Sequence, residues 1–367
     1  MVEVIKVALN SQEMKAFIEL PWKLYQNHRK EWIPPLKVSE EMKFSSGNPF
    51  FAHADFSALL ALKNGVAVGR IFVSIDHHFV NAPNSKVGHF GFYESINDDE
   101  VAQKLYTEAE SWLYQRGCSE IHGPINFSIY YSYRFQTSGH KTAPFLGEPR
   151  NHDYYPALAL KNGYKIHSTW YSWELSVWNV LIMTLHTLLA ARLRPRPKDL
   201  VRIKLADLNQ LESEIKEMYD SALATFQNNY GFAHISKEEF TSAISSMAPF
   251  LFPGSFCKAY NQENKVIAFV YGHADMAEAF KLIDGDYQKL DLMKKSRPKR
   301  IVWHTLGIDA DYRKSSLVYK ICEPLCLRTL LARMPVIGAL TKEINKGYAR
   351  FSAPTRSYSV FYKVRAL

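Results

Sequence analysis

The chain has 367 residues, 45 Lys and Arg against 36 Asp and Glu, and a formal charge of +9. With 47% hydrophobic and 22% charged residues it reads as a globular protein of about two domains, which excludes disorder, collagen-like repeats and coiled coil. The basic excess favours an anionic partner: a phosphate-bearing cofactor, an acidic carrier protein or an anionic lipid surface.

In chain order, VEVIKVAL predicts a strand, and Ser11 opens a helix running to about Asn27. Phe56 to Val66 and the following VAVGRIFVSID read as a hairpin turning at Asn64. VGHFGFYES is a further strand, and residues 99–116 form a helix stopped by Gly117. Residues 176–199, SVWNVLIMTLHTLLAARLRPRPKD, hold an apolar stretch of about 16 residues, short of the ~20 that span a bilayer. Their end is basic and punctuated by proline. Two readings stay open: a linker helix docked on a core, or a helix lying on a membrane surface. The plan then repeats. VRIKLADL is a strand, residues 208–226 and 236–247 are helices, and Phe256 to Val266 begins a second hairpin turning at Asn264. IVWHTLGID and a helix from about 314 to 333 complete it. The echo predicts an α/β protein with α+β mixed sheets: residues 1–175, a linker at 176–199, and residues 200–367.

The cysteines, Cys118, Cys257, Cys322 and Cys326, form no CxxC pair and read as reduced core thiols. His77, His78 and His152 show no metal-ligand spacing, so no metal is expected. MVEVIKVALNSQEMK lacks a basic segment followed by an apolar run, so a cytoplasmic location is expected, extending to the inner membrane surface if the linker helix meets lipid. GxSxG, GxxxxGK[ST] and GxGxxG are absent, which disfavours serine hydrolysis, nucleotide hydrolysis and dinucleotide binding. No nucleic-acid motif is present.

Pro21, Trp22 and Tyr25, then Trp32, Pro34, Pro35 and Leu36, then Asn48 to Phe51, resemble an N-acyltransferase-like (GNAT-superfamily) family of bacterial proteins. GHFGFYES, HGPIN, NHDYYPALALKNGY, and FQNNYGF followed by SKEEF are also similar to it. The likeness covers nearly the whole chain and weakens after residue 250. It implies two GNAT-like acyl-CoA N-acyltransferase folds in tandem. It also implies acyl-CoA or acyl-carrier protein as donor, an amine as acceptor, and no permanently bound cofactor. Some relatives are linked to joining a fatty acyl group to a sphingoid base. There is one departure. Where the family has an asparagine–aspartate–glutamate cluster and a glycine after GPxN, this chain has Tyr130, Tyr131 and Ser132, then Arg134.

Acyl transfer from a thioester to an amine needs a held donor, a base for the amine and a proton for the leaving thiolate. The resemblance places pyrophosphate where the fourth strand turns into a helix, because a helix start offers unpaired N–H groups. In the first half Asp98, Asp99 and Glu100 cap that helix and repel phosphate. In the second half Arg313, Lys314, Ser315 and Ser316 form a basic loop without the usual glycines, either a degraded phosphate cradle or an ordinary capped helix start. The run Lys294, Lys295, Arg297, Lys299 and Arg300 is a candidate contact for an acidic carrier. His304 is the candidate base, with a core histidine as the alternative, and backbone near Leu306 the candidate oxyanion site. Tyr131 and Tyr358 are further catalytic candidates, with Tyr362 beside Tyr358 as an alternative acid. Asn126, Tyr130, His140 and Tyr230 are candidates for the substrate pocket. The opposing reading is a degenerate acyltransferase that binds an acyl or hydrophobic ligand without turnover.

Overall fold

The structure is a computed structural model and describes residues 1–80, 85–245, 247–343, 345 and 347–365. Its elements are β1 (Val2–Val7), α1 (Gln12–Leu24), α2 (Lys37–Lys43), β2 (Ala54–Lys63), β3 (Val66–Asp76), β4 (Val87–Ser95), α3 (Asp99–Gln115), β5 (Glu120–Gly123), β6 (Ile125–Asn126), β7 (Ser132–Tyr133), β8 (Phe135–Ser138), α4 (Tyr155–Lys161) and β9 (Lys165–Leu175). There follow α5 (Val177–Leu193), β10 (Arg202–Leu205), α6 (Leu211–Phe226), α7 (Lys237–Ser245), β11 (Phe256–Tyr260), β12 (Val266–Ala274), α8 (Ala277–Ile283), α9 (Asp291–Lys295), β13 (Ile301–Ile308), α10 (Leu317–Lys320), α11 (Glu323–Ala332), β14 (Val336–Lys342) and β15 (Arg356–Val364). Two compact units result. Unit 1 comprises Met1–Trp170, Ala277–Ser296 and Arg356–Leu367; unit 2 comprises Tyr171–Met276 and Arg297–Thr355.

In unit 1 the strand order is β1-β2-β3-β4-β5-β15. Pairing is antiparallel from β1 to β4, parallel between β4 and β5, and antiparallel again at β15. The period-2 alternation of β2 explains its two-sided burial. Leu59 and Ala61 meet Val101, Leu105 and Ala109 of α3, while Ala58 and Leu60 meet Met14, Phe17 and Ile18 of α1. The β2–β3 turn puts Asn64 at φ 53°, a left-handed conformation that asparagine tolerates. Asp98 caps α3 by accepting from the N–H groups of Glu100 and Val101.

Unit 2 repeats the plan. β10-β11-β12-β13 pair antiparallel and β13-β14 parallel, and Asn264 turns the hairpin at φ 61°. Its core joins Cys257, Ala259, Ile267 and Val270 to Leu317, Ile321 and Leu325. The helix expected from 314 to 333 is broken into α10 and α11. Pro324 starts α11, since it has no N–H to continue the ladder of α10. Cys118, Cys257 and Cys326 are buried, Cys322 is half-buried, and all four are free thiols. Among the described residues no helix is long and apolar enough to cross a membrane.

Candidate functional site

Each unit carries a fork between its fourth strand and the parallel neighbour. In unit 1 the parallel ladder joins only Val87, Gly88 and His89 of β4 to β5. An extra residue then bulges β4 against β3, between the Arg70–Glu94 and Phe72–Gly91 pairs. The chain itself fills this fork. A Cβ on Gly91 would lie 2.1 Å from the Ile125 carbonyl oxygen, and Asn126 Oδ1 accepts from the Phe92 N–H at 2.6 Å. Asn126, a candidate substrate residue, therefore holds the fork of unit 1 shut.

In unit 2 the ladder joins Ile301, Val302 and Trp303 to β14 and stops. The matching bulge falls at His304, between the Tyr271–Thr305 and Gly272–Trp303 pairs. Beyond it His304 and Thr305 are half-buried and Leu306 is exposed. His304 Nδ1 lies 2.9 Å from the Tyr271 hydroxyl and 2.8 Å from Thr305 Oγ1. Burial raises the Tyr271 hydroxyl, so it stays protonated. With the imidazole proton on Nδ1, the hydroxyl oxygen accepts from His304 and Nε2 is left as the basic nitrogen. Behind Tyr271 runs a narrow apolar crevice lined by Leu211, Ile215, Met218, Ile244, Met247 and Leu251.

The loop after β13 is already hydrogen-bonded within the chain. The Ser316 N–H donates to the Pro195 carbonyl at 2.7 Å, and the Leu317 N–H to Ser315 Oγ at 3.2 Å. Arg313 Nε donates to the Ile308 carbonyl at 3.0 Å, and the Tyr312 hydroxyl to Asp199 at 2.8 Å. Lys314 is exposed. Two backbone donors that a pyrophosphate would use at a helix start are thus engaged. Of the basic run, Arg300 pairs with Asp275 at 2.7 Å and Lys294 with Asp291 at 2.9 Å.

The other candidates are divided between the two units. Tyr230 is half-buried just past the end of α6 in unit 2. Tyr131, Tyr130, His140 and Tyr358 belong to unit 1. The Tyr131 hydroxyl donates to Asn48 Oδ1 at 3.2 Å, and the Tyr130 N–H to Ser128 Oγ at 3.4 Å. The His140 imidazole is held neutral by burial and by Arg150. Tyr358 is fully buried and donates to Glu148, which also pairs with Arg356 at 3.0 Å. Arg134, standing where the family has glycine, adopts φ 90°. Its guanidinium lies 3.7 Å from the Tyr133 ring and 4.2 Å from the Trp170 ring.

Among the titratable groups outside the sequence candidates is Glu94, on β4. Burial pushes its carboxyl up to about 7, against the opposing pull of Arg70, Tyr155 and Tyr25. Its Oε2 accepts from the Tyr155 hydroxyl at 2.7 Å, and that hydroxyl accepts from the Ser95 N–H at 3.0 Å. Beside it stands a column of rings. Tyr25 stacks on Trp32 at 4.8 Å and on His152 at 4.2 Å, and His152 stacks on Tyr154 at 5.1 Å. The family-like segments around Trp22, Trp32 and NHDYYP thus converge on one carboxyl. A glutamate inside a strand of ordinary spacing carries no such signal; only the convergence of those segments could have found it.

His53, Asp76 and His78 bring ligand-type atoms within 4.8 Å of one another. His53 Nδ1 already lies 2.9 Å from Asp76 Oδ1, and the two imidazoles stack at 4.0 Å. Parallel rings aim their nitrogens side by side rather than at a common point, which does not suit a tetrahedral ion.

Two strand sets, each with three antiparallel pairings followed by a parallel fork and a bulged fourth strand, define the tandem GNAT fold. The tandem GNAT protein from the clavulanic acid biosynthesis pathway superposes over 100% of this chain and 99% of its own, with a TM-score of 0.56 and 10% identity. A GCN5-related glucosamine N-acetyltransferase region of a fungal multi-domain β-N-acetylglucosaminidase covers 99% of this chain and 38% of its own, with a TM-score of 0.55 and 12% identity. In sequence the chain is similar to Protein YghO of Escherichia coli K12, 26% identical over 282 residues, which is 77% of this chain and 71% of that protein. It is also similar to the bacterial ceramide synthase of Caulobacter vibrioides, 25% identical over 237 residues, spanning 64% of this chain and 60% of that enzyme. No protein-family model matches the chain.

Proposed function

We propose that the protein is an N-acyltransferase that moves an acyl group from a thioester to the amine of an apolar acceptor, with unit 2 as the reacting unit. The observation that carries this reading is the placement of His304. It sits on the bulge of the fourth strand, where the fork opens, with Nδ1–H held by the Tyr271 hydroxyl oxygen and an apolar crevice behind. The amine nitrogen attacks the thioester carbonyl, the C–N bond forms, and the C–S bond breaks. His304 Nε2 takes the amine proton and, as imidazolium, returns it to the leaving thiolate. The crevice is apolar but holds only about 10 Å³ as it stands, so an acyl chain entering it would have to part its walls. The ceramide synthase likeness supports a long-chain donor and a lipid-like amine. Engagement of the loop N–H groups by Pro195 and Ser315 favours a thioester on an acidic carrier protein over free CoA, with Arg313 and Lys314 as its contacts.

The second reading, a binding protein without turnover, draws on the filled fork of unit 1 and the same engaged loop. Intact-mass measurement of palmitoyl-CoA and of palmitoylated carrier protein incubated with a long-chain amine separates the two. An amide product supports transfer, and donor adducts that never yield amide support binding alone. Arg313→Glu is expected to weaken donor binding about tenfold; unchanged affinity would remove this loop from the donor site.

A further inference from the structure

We propose that α5 is an interfacial helix that seats unit 2 on an anionic lipid surface. Trp178, Ile182, Leu185, Leu189 and Leu193 recur at spacings of three and four, so they form one stripe along the helix. All five are between 53% and 75% exposed. The opposite face holds Val180, Thr184, Thr187, Ala190 and Ala191, which are buried against the rest of unit 2. Thr184 donates its hydroxyl to the Val180 carbonyl, so that face keeps no bare polar atom at this position. The helix is therefore fixed to its unit by small residues while its large apolar side chains point away.

Length and charge choose the occupant. Seventeen residues make a rod of about 25 Å, too short to cross a bilayer but long enough to lie along one. The stripe runs straight into Arg192, Arg194, Arg196 and Lys198, all exposed. A lipid interface offers acyl chains to the stripe and phosphate headgroups to these cations at one depth boundary, with tryptophan favoured near that boundary. α11, which packs against α5, adds exposed Leu327 and Leu331. A groove-forming protein partner would explain the stripe but not four cations crowded at one end. This inference stands apart from the acyl-transfer reading, since it concerns binding alone.

Flotation of the full chain with phosphatidylcholine vesicles, with and without phosphatidylglycerol, tests it. Binding is expected to be about tenfold stronger to the anionic vesicles and to weaken as salt rises. Leu185→Glu with Leu189→Glu should abolish flotation, and Arg192→Glu with Arg194→Glu and Arg196→Glu should erase the anionic preference. Because these side chains are exposed, both variants should melt with the wild type. Flotation that survives the double leucine substitution overturns the proposal, as does absence of flotation in the wild type. A wild-type dimer that falls to monomer in the leucine variant, without any vesicle binding, would instead assign the stripe to a second copy of the chain.

Discussion

Tyr271 and His304 lie ring over ring, 5.1 Å apart and 15° from parallel, with the hydroxyl 2.9 Å from Nδ1. The extra residue in β13 creates this arrangement, because a regular ladder gives each residue one partner across the strands. His304→Ala is expected to lower turnover by roughly 10²–10⁴-fold while donor affinity stays put. Tyr271→Phe keeps the ring and removes the oxygen that fixes the imidazole tautomer, so it should lower turnover less and move the acidic limb of the pH–rate profile. Steady-state kinetics over pH checks both, and wild-type turnover in His304→Ala would remove the imidazole from the mechanism.

Glu94 gives stability a pH dependence of known sign. Its carboxyl is raised from 4.5 to about 7 in the folded protein. Between those values the folded chain keeps a proton that the unfolded chain has released, so stability falls as pH rises through that window. The effect is at most on the order of 3 kcal/mol. Melting curves from pH 4.5 to 8 should show the decline, and Glu94→Gln should flatten it and raise the midpoint near pH 8. A Glu94→Gln variant that melts normally yet loses all turnover would move the reacting site to unit 1.

Arg134 at φ 90° occupies backbone space that suits glycine. Arg134→Ala keeps the strain and loses the stacking on Tyr133 and Trp170, and should destabilise by about 1–3 kcal/mol. Arg134→Gly relieves the strain and should cost less. Urea midpoints in which the glycine variant is the weaker of the two would contradict this account.

The crevice behind Tyr271 sets a limit on acyl length if it holds the chain. Ile244 lines it and is only half-buried, so Ile244→Trp blocks the crevice, at an overpacking cost of about 1–3 kcal/mol. Product mass spectra from a mixture of donors should shift toward shorter acyl groups. An unchanged distribution would place the acyl chain elsewhere.

The repeat was legible because its markers are local. Asn64 and Asn264 sit at left-handed turns, Asp98 caps α3, and the fourth strands carry recognisable apolar patterns. Pro324 was equally legible as a helix break, and a single long helix overlooks it. Other features depend on distant segments meeting. Glu94 gains its environment from Arg70, Tyr25 and Tyr155, none of them its sequence neighbour. The Ser316 N–H finds Pro195 only once the linker folds back on the loop. His304 could be placed on the fourth strand from the sequence, but its bulge and its Tyr271 partner could not, since both depend on the pairing with β12.

Unit 1 takes β15 as the partner of β5, with Phe361 set against Gly123. On the ribosome that partner is made long after β5 has emerged. At about 5–20 residues per second the interval is on the order of tens of seconds. Throughout it the nascent first unit carries a bare strand edge, the kind that recruits stray β-strands. Early folding of this chain is therefore a period of exposure for the edge of β5.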